Sequence, residues 1–480
     1  MRSFAPLLIA SWLVGAWLAP ARAGGGPENL FLVVNPADAD SLAVANAFTT
    51  ARSVPPINVY MLPWTGGADS VPIRTFRDEL LGPILRAIDA RRLSTQIDCI
   101  VYSSGFPWRV DYVDDLPADL KAKDQFPSGS LTGMTMLHAA VTSGAPLWLD
   151  AESNHYFRPV GESGVPAETL GFRGWYGWDR KGRLLEAGGS RYLLSAMLGV
   201  TAGRGNSVAE ITAYLKSAAA ADGSRPAGTV YFMTNSDVRT TTRSGPFPAI
   251  VRALGELGVK AEVVAGKLPD RKQDVAGLMT GVPTFDWRAS GCAVLPGAIC
   301  ENLTSFGGIF TPSARQTPLS EFLRAGAAGS SGTVTEPFSL QAKFPHPAIH
   351  VHYARGASLI EAFYQAVHSP YQLLVVGDPL CQPWATIPQV EVVSAADSMV
   401  LEPGAVVSGT LALEPRSSGG GAAAADRFEL FVDGLRVGQA GLGEKLVLDT
   451  TPLADGHHEL RVVAVGAPPV ETQGRRIVPV

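Results

Sequence analysis

Short, wholly apolar runs alternate with amphipathic stretches between about residue 28 and residue 388. Four runs, 30–34, 97–102, 229–233 and 373–376, have the continuous apolar character of strands that are covered on both faces. Strands that alternate with helices predict an α/β domain with a mostly parallel sheet and helices on both faces.

The helical stretches carry recognisable start and stop signals. Apolar positions at helical spacing predict a helix over 73–88, which Gly82 and Pro83 should kink. Two S-x-x-E capping boxes, at 207–210 and 358–361, predict two further helix starts. Thr317 and Pro318 predict a cap and first turn for a helix over 317–325.

Residues 105–190 interrupt this alternation. The stretch is richer in Gly, Pro, Trp and Tyr, and its hydrophobic periodicity is weak. We expect an irregular insertion of loops and short elements that shapes one rim of the domain.

From residue 389 the hydrophobic pattern changes to a period of two. About seven short alternating segments, separated by turns such as Asp433-Gly434, predict a C-terminal immunoglobulin-like β-sandwich. The low-complexity tract 417–425 is predicted to be a loop inside it. The sequence thus divides into an α/β domain, 24–388, and a sandwich, 389–480.

The first 23 residues have the pattern of a signal peptide. Arg2 is followed by an apolar stretch and by Ala21-Arg22-Ala23, which has the form of a cleavage site. The stretch is shorter than a bilayer span requires, and no later segment is long and apolar enough to be one. We expect an exported protein, periplasmic or extracellular, with no membrane span after cleavage.

Composition narrows the function classes. The 480 residues are 46% hydrophobic and only 17% charged, which excludes a disordered chain. The formal net charge of -5 and the absence of a long basic run argue against a nucleic-acid partner. A cell-envelope or extracellular protein or polysaccharide remains as the expected partner.

Four cysteines, Cys99, Cys292, Cys300 and Cys381, could form two disulfides in an exported chain. A chain of this length does not need such bonds to fold, so disulfide, buried thiol and nucleophile all remain open for each.

Common cofactor and metal signatures are absent. The chain has no P-loop, no G-x-G-x-x-G, no G-x-S-x-G, no H-E-x-x-H and no C-x-x-C, so no cofactor is predicted. His350 and His352 would share one face of an extended segment and are the candidate metal ligands. A third ligand is not identifiable, and Pro347 excludes a helical pair with His346, so no metal site is predicted.

The chain resembles a family of exported bacterial proteins of undetermined function. The matching segments are E-N-L-x-L-V-V-N at 28–35, Q-I-D-x-I-V and the following turn at 96–109, P-G-A-I with L-T-S-F-G-G at 296–308, G-A-A-x-S-x-G-x-V-x-E-P at 326–337 and V-G-D-P-L at 376–380. The resemblance covers most of residues 28–385, and its last three motifs are the most specific.

That family is distantly similar to gingipain-type cysteine peptidases, whose fold is a caspase-like α/β domain followed by an immunoglobulin-like domain. The resemblance places Cys300 roughly where the nucleophile would stand. Residues 276–291, where the catalytic His-Gly would lie, contain no histidine. A cysteine nucleophile needs a neighbouring base or cation to form a thiolate at neutral pH.

Several polar residues follow predicted strands, where open parallel sheets place ligand crevices. The candidate binding residues are Arg109, Asp111, Glu301, Ser305, Glu336 and Asp378. Carboxylates before proline, such as Glu336 and Asp378, also cap turns in purely structural roles.

Two hypotheses follow. The leading one is an exported, non-catalytic binding scaffold on a gingipain-like fold that has lost the peptidase dyad. The alternative is an enzyme: a cysteine peptidase that uses Cys300 with His155 or His350, or another hydrolase built on Glu336 and Asp378. The substrate, the ligand and the oligomeric state do not follow from the sequence.

Overall fold

A computed structural model gives the fold and describes residues 25–121, 126–418 and 424–480. The predicted signal peptide and part of the predicted loop 417–425 lie outside the described residues.

A ten-stranded, mostly parallel sheet forms the centre of the molecule. The strands up to residue 377 are β1 (Leu30–Val34), β2 (Val59–Met61), β3 (Ser70–Pro72), β4 (Cys99–Tyr102), β5 (Arg109–Asp111), β6 (Ser128–Ser130), β7 (Gly177–Trp178), β8 (Leu184–Leu185), β9 (Leu194–Met197), β10 (Thr229–Thr234), β11 (Lys260–Ala265), β12 (Val275–Thr280), β13 (Val294–Asn302), β14 (Gly329–Thr333) and β15 (Leu373–Gly377). The main sheet has the order β11-β10-β12-β13-β14-β15-β9-β4-β1-β2. β14 and β15 run antiparallel over five residue pairs.

Helices cover both faces of this sheet. The helices of the described residues are α1 (Ala39–Arg52), α2 (Ile73–Thr75), α3 (Gly82–Ala90), α4 (Ala118–Lys121), α5 (Leu131–Met136), α6 (His138–Ser143), α7 (Val208–Ala220), α8 (Val238–Arg243), α9 (Phe247–Glu256), α10 (Trp287–Ser290), α11 (Ser320–Arg324), α12 (Ile349–Ala354) and α13 (Leu359–Ala366). Around β10, β12 and β13, α9 and α12 lie on one face, and α10 and α11 lie on the other. The predicted α/β architecture is confirmed at this level.

The helix starts follow the sequence signals in part. Ser207 and Glu210 form the predicted capping box at the start of α7. The predicted kink at Gly82 is instead a π-helical segment, Phe76–Leu81, between α2 and α3. The predicted cap at Thr317 is wrong, because its hydroxyl bonds the Phe285 backbone and α11 begins only at Ser320.

One buried strand, β14, lacks the apolar pattern by which strands are found in a sequence. It has the sequence Gly-Ser-Ser-Gly-Thr and lies in the middle of the sheet. A Cβ on Gly332 would lie 2.3 Å from the backbone carbon of Gly307, so only glycine allows the chains to approach this closely. β9 comes directly after the irregular stretch 105–190. That stretch also holds α5, whose residues are all buried against the sheet.

The described residues of the C-terminal part, 389–418 and 424–480, contain seven strands in two antiparallel sheets. They are β16 (Gln389–Ser394), β17 (Thr410–Ser418), β18 (Ala425–Val432), β19 (Leu435–Gly441), β20 (Leu446–Asp449), β21 (Glu459–Gly466) and β22 (Gln473–Pro479). The sheets have the orders β16-β17-β20 and β19-β18-β21-β22 and share one apolar core.

Buried ion pairs join the two parts. Arg173 lies 3.7 Å from Asp98, 3.7 Å from Glu471 and 4.0 Å from Glu429, and all four side chains are almost wholly buried. A second bridge joins Arg461 in β21 to Glu28 just before β1. Uncompensated buried charges are costly, so this arrangement fixes the sandwich against the amino-terminal end of β1 and β4.

No helix among the described residues is both long enough and apolar enough to cross a membrane.

Candidate functional site

Cys300 is enclosed in the core of the sheet. It lies on β13 with no exposed surface, in a cluster with Leu278, Trp287 and Phe322. Burial, and secondarily the neighbouring carboxylate of Glu301, raise the pKa of the Cys300 thiol well above its usual value. A thiol in this environment stays protonated and inert at neutral pH.

The sheet separates Cys300 from His350. Cys300 pairs with Leu278 on β12, and both side chains point toward α10 and α11. The His350 imidazole lies over Gly277 and Phe232, on the opposite face. Since adjacent residues of a strand point to opposite faces, the thiol and this imidazole cannot form a hydrogen bond through the sheet.

His155, the other candidate base, lies in the stretch 105–190. Its ring packs edge-on against Tyr192, with centroids 6.3 Å apart. No described contact joins it to the cluster around Cys300.

Glu301 follows Cys300 but points to the other face of the sheet. Its carboxylate accepts hydrogen bonds from the amide and the hydroxyl of Ser331, the latter at 2.9 Å. Burial raises the pKa of Glu301 to about 8, although the charge of Arg243 opposes the shift. The buried Arg243 donates to the carbonyls of Thr280 and Pro345. Glu301 therefore serves the packing of β13 on β14.

Ser305 and Glu336 are the two predicted binding residues that the structure brings together. The Ser305 hydroxyl donates to Glu336 Oε1 at 3.1 Å, beyond the carboxyl ends of β13 and β14. Glu336 also accepts from the Phe338 amide at 2.9 Å. Phe338 has a φ of +57°, is 62% exposed and packs against Phe126. The Glu336 carboxylate thus holds a strained turn.

Asp378 lies at the opposite end of β14. Its amide donates to Ala328, the residue before β14, and its buried carboxylate bonds Arg52 Nη2 at 2.7 Å. Arg52 also pairs with Asp222. The length of β14, about 13 Å at roughly 3.3 Å per residue, separates Asp378 from Glu336. Carboxylates more than about 10 Å apart cannot act on the two sides of one glycosidic bond.

Arg109 and Asp111 lie on β5, outside the main sheet. Asp111 accepts from the Val113 amide, and Arg109 Nε has no hydrogen-bond partner among the described residues. No contact between described residues joins either side chain to Ser305 or Glu336. These four residues do not form one site.

The histidine segment forms the helix α12, so the extended conformation under which His350 and His352 would share one face is not present. His350 and His352 are two residues apart on α12, and their rings point in different directions. His352 Nδ1 bonds the Thr169 hydroxyl at 2.8 Å, while His350 packs on Gly277. Burial lowers the pKa of His350 to about 3. No group of three His, Cys, Asp or Glu in the described part of the chain could hold a metal ion.

The four cysteines are free thiols. Cys99, Cys300 and Cys381 are buried, and Cys292 is half-buried. Cys292 Sγ accepts a hydrogen bond from the Lys272 amide. Because Cys292 is only half-buried, its thiol is the one nearest the surface.

A groove of about 750 Å³ is lined by residues between 137 and 192 and contains one of the residues singled out from the sequence, His155. One wall comes from α6 and the segment 146–155, and the other from the β7–β8 hairpin and residues 189–192. A volume of this size is typical of small-ligand sites. The Trp, Tyr and Gly content of the stretch was the sequence signal for it, but no periodicity showed which residues would face one another.

The groove is polar as well as apolar. Charged side chains of both signs line its walls: Asp150, Glu152, Asp179, Arg180 and Arg191. Burial lowers the pKa of His155, so its imidazole adds no charge at neutral pH. The arrangement can hold a small ligand that carries charge at more than one point.

Comparisons with known proteins assign no role to any residue of this chain. No protein-family model and no curated protein matches the chain. A solved structure described as that of a protease aligns with 95% of this chain and 98% of its own, at 10% identity and a TM-score of 0.47. The spore cortex lytic enzyme SleM of Clostridium perfringens aligns with 49% of this chain and 84% of its own, at 10% identity and a TM-score of 0.16. Likeness at this level transfers no residue role.

Proposed function

We propose that this chain is an exported binding protein that does not use Cys300 as a peptidase nucleophile. The observation that carries the proposal is the placement of Cys300, whose thiol is enclosed on one face of the sheet while His350 lies on the other. Without a neighbouring base, a buried thiol attacks no carbonyl.

The proposal extends to architecture and place. The α/β part is a gingipain-like, caspase-like scaffold of the exported family that the sequence resembles, and the C-terminal sandwich is an immunoglobulin-like module for spacing or attachment. The buried ion pairs of Arg173 and Arg461 support the idea that the sandwich holds the α/β part in a fixed orientation. The protein would act in the periplasm or outside the cell, on a protein or polysaccharide of the envelope.

The hydrolase alternative built on Glu336 and Asp378 receives no support from the geometry. Each carboxylate has a structural partner of its own, Ser305 for the first and Arg52 for the second, and β14 lies between them.

Thiol labelling tests the proposal. The folded protein is treated with iodoacetamide at neutral pH, and the labelled peptides are mapped. We expect label on the half-buried Cys292 and none on Cys300, because the buried thiol is protonated and out of reach.

Cys292 is the internal reference, and unfolding in urea should expose all four thiols to the label. A Cys300→Ala variant confirms the mapping. Labelling of Cys300 that is faster than that of Cys292 in the folded protein would show an activated thiolate and refute the proposal.

A further inference from the structure

We propose that the groove of residues 137–192 binds a short peptide with a free amino group and a free carboxylate. This inference rests on the proposed binding function and names its ligand class. It is drawn from the groove's size, the charges on its two walls and the environment of its aromatic residues.

The charges that remain unpaired on the two walls have opposite signs. Asp150 and Glu152 belong to the first wall, and Arg180 and Arg191 belong to the second. Asp179 also lines the second wall, but its carboxylate is paired with Arg183. The Asp150 carboxylate accepts the Glu152 amide at 2.9 Å, which fixes the turn that presents both acids. Glu152, Arg180 and Arg191 form no ion pair with any described residue, so their charges are free to pair with a ligand. A peptide with an amine at one end and a carboxylate at the other matches this distribution.

The aromatic residues of the groove favour a peptide over a sugar. Trp178 and Tyr192 are 1% and 2% exposed, so neither presents a ring face on which a sugar could stack. Trp178 stacks on Phe172, and the Tyr192 hydroxyl donates to the Ser153 carbonyl at 2.8 Å.

Some of the buried polar atoms at the groove lack partners. Among them, Ser153 Oγ and Trp178 Nε1 make no hydrogen bond with any described residue. Both residues line the groove. A buried donor without a partner costs free energy, and a peptide carbonyl that reaches the groove would supply the missing acceptor.

The test is calorimetric titration of the full chain with trialanine. Its small side chains leave the two termini as the only charges. N-acetyl trialanine, trialanine amide and the doubly blocked peptide are the matched probes. We expect trialanine to bind, and each blocked end to weaken binding about two- to fivefold, since one ion pair between exposed groups is worth about that factor.

Variants assign each terminus to a wall. Arg191→Gln should weaken trialanine binding without affecting trialanine amide, and Glu152→Gln should weaken it without affecting the N-acetyl form. Arg180→Gln is a second probe of the basic wall. Arg271→Gln, at a position 84% exposed and outside the groove, is the control and should leave all four affinities unchanged.

Three results would overturn the inference: equal affinity for free and doubly blocked trialanine, no binding of any of the four peptides, or preferential binding of a neutral trisaccharide. Each of these would leave the inert Cys300 untouched. Cleavage of trialanine that disappears in Cys300→Ala would instead refute the proposed function while leaving the groove as a peptide site.

Discussion

At the scale of single residues, Asp98 shows how burial sets the charge state of a side chain in the junction, the buried ion-pair cluster of Arg173 that joins the α/β part to the sandwich. Burial raises the pKa of Asp98 to about 7, against the opposing charge of Arg173. Because the folded chain then holds a proton that the unfolded chain has released, the stabilising contribution of Asp98 is present at low pH and is lost as the pH rises from about 4 to about 7. Urea unfolding of the wild type and of Asp98→Asn across this range should therefore give stability curves that diverge. Curves that stay parallel across this pH range would contradict this account.

At the scale of elements, the contact between β12 and α12 requires glycine at position 277, where a side chain would collide with the His350 ring. A Cβ on Gly277 would lie 2.8 Å from Cε1 of the buried His350 ring. Gly277→Ala should therefore destabilise the protein by about 1–3 kcal/mol, as overpacking does in a closed core. Gly255→Ala, on α9 in open space, should instead stabilise it by about 0.5–1 kcal/mol. The measurement is the free energy of unfolding in urea. Adding His350→Ala should recover part of the loss at Gly277, and a Gly277→Ala protein as stable as the wild type would show that this contact is loose.

At the scale of the whole molecule, the central sheet could be predicted from the sequence and the junction could not. The apolar runs at 30–34 and 229–233 predicted β1 and β10, because buried parallel strands need apolar side chains on both faces. β14 was missed because close backbone approach demanded Gly and Ser, which carry no strand signal. The junction of Arg173 with Glu471 joins residues nearly three hundred positions apart, and no local pattern encodes such a pairing.

Part of the candidate site could also be predicted from the sequence, and part could not. Ser305 and Glu336 were found because polar residues follow the carboxyl ends of β13 and β14. Glu336 and Asp378 looked equivalent in sequence, but the antiparallel step from β14 to β15 sends them to opposite ends of the sheet. The groove was missed because its walls come from irregular segments, where charge and burial follow no period.

Binding without cleavage is the central claim, and one assay addresses it directly. Wild type and Cys300→Ala are incubated with a mixed library of short peptides, and the products are identified by mass spectrometry. The enclosed thiol predicts that both proteins leave the library uncut. Cleavage by the wild type that is absent in Cys300→Ala would show that Cys300 reaches a base during turnover, and would contradict the account.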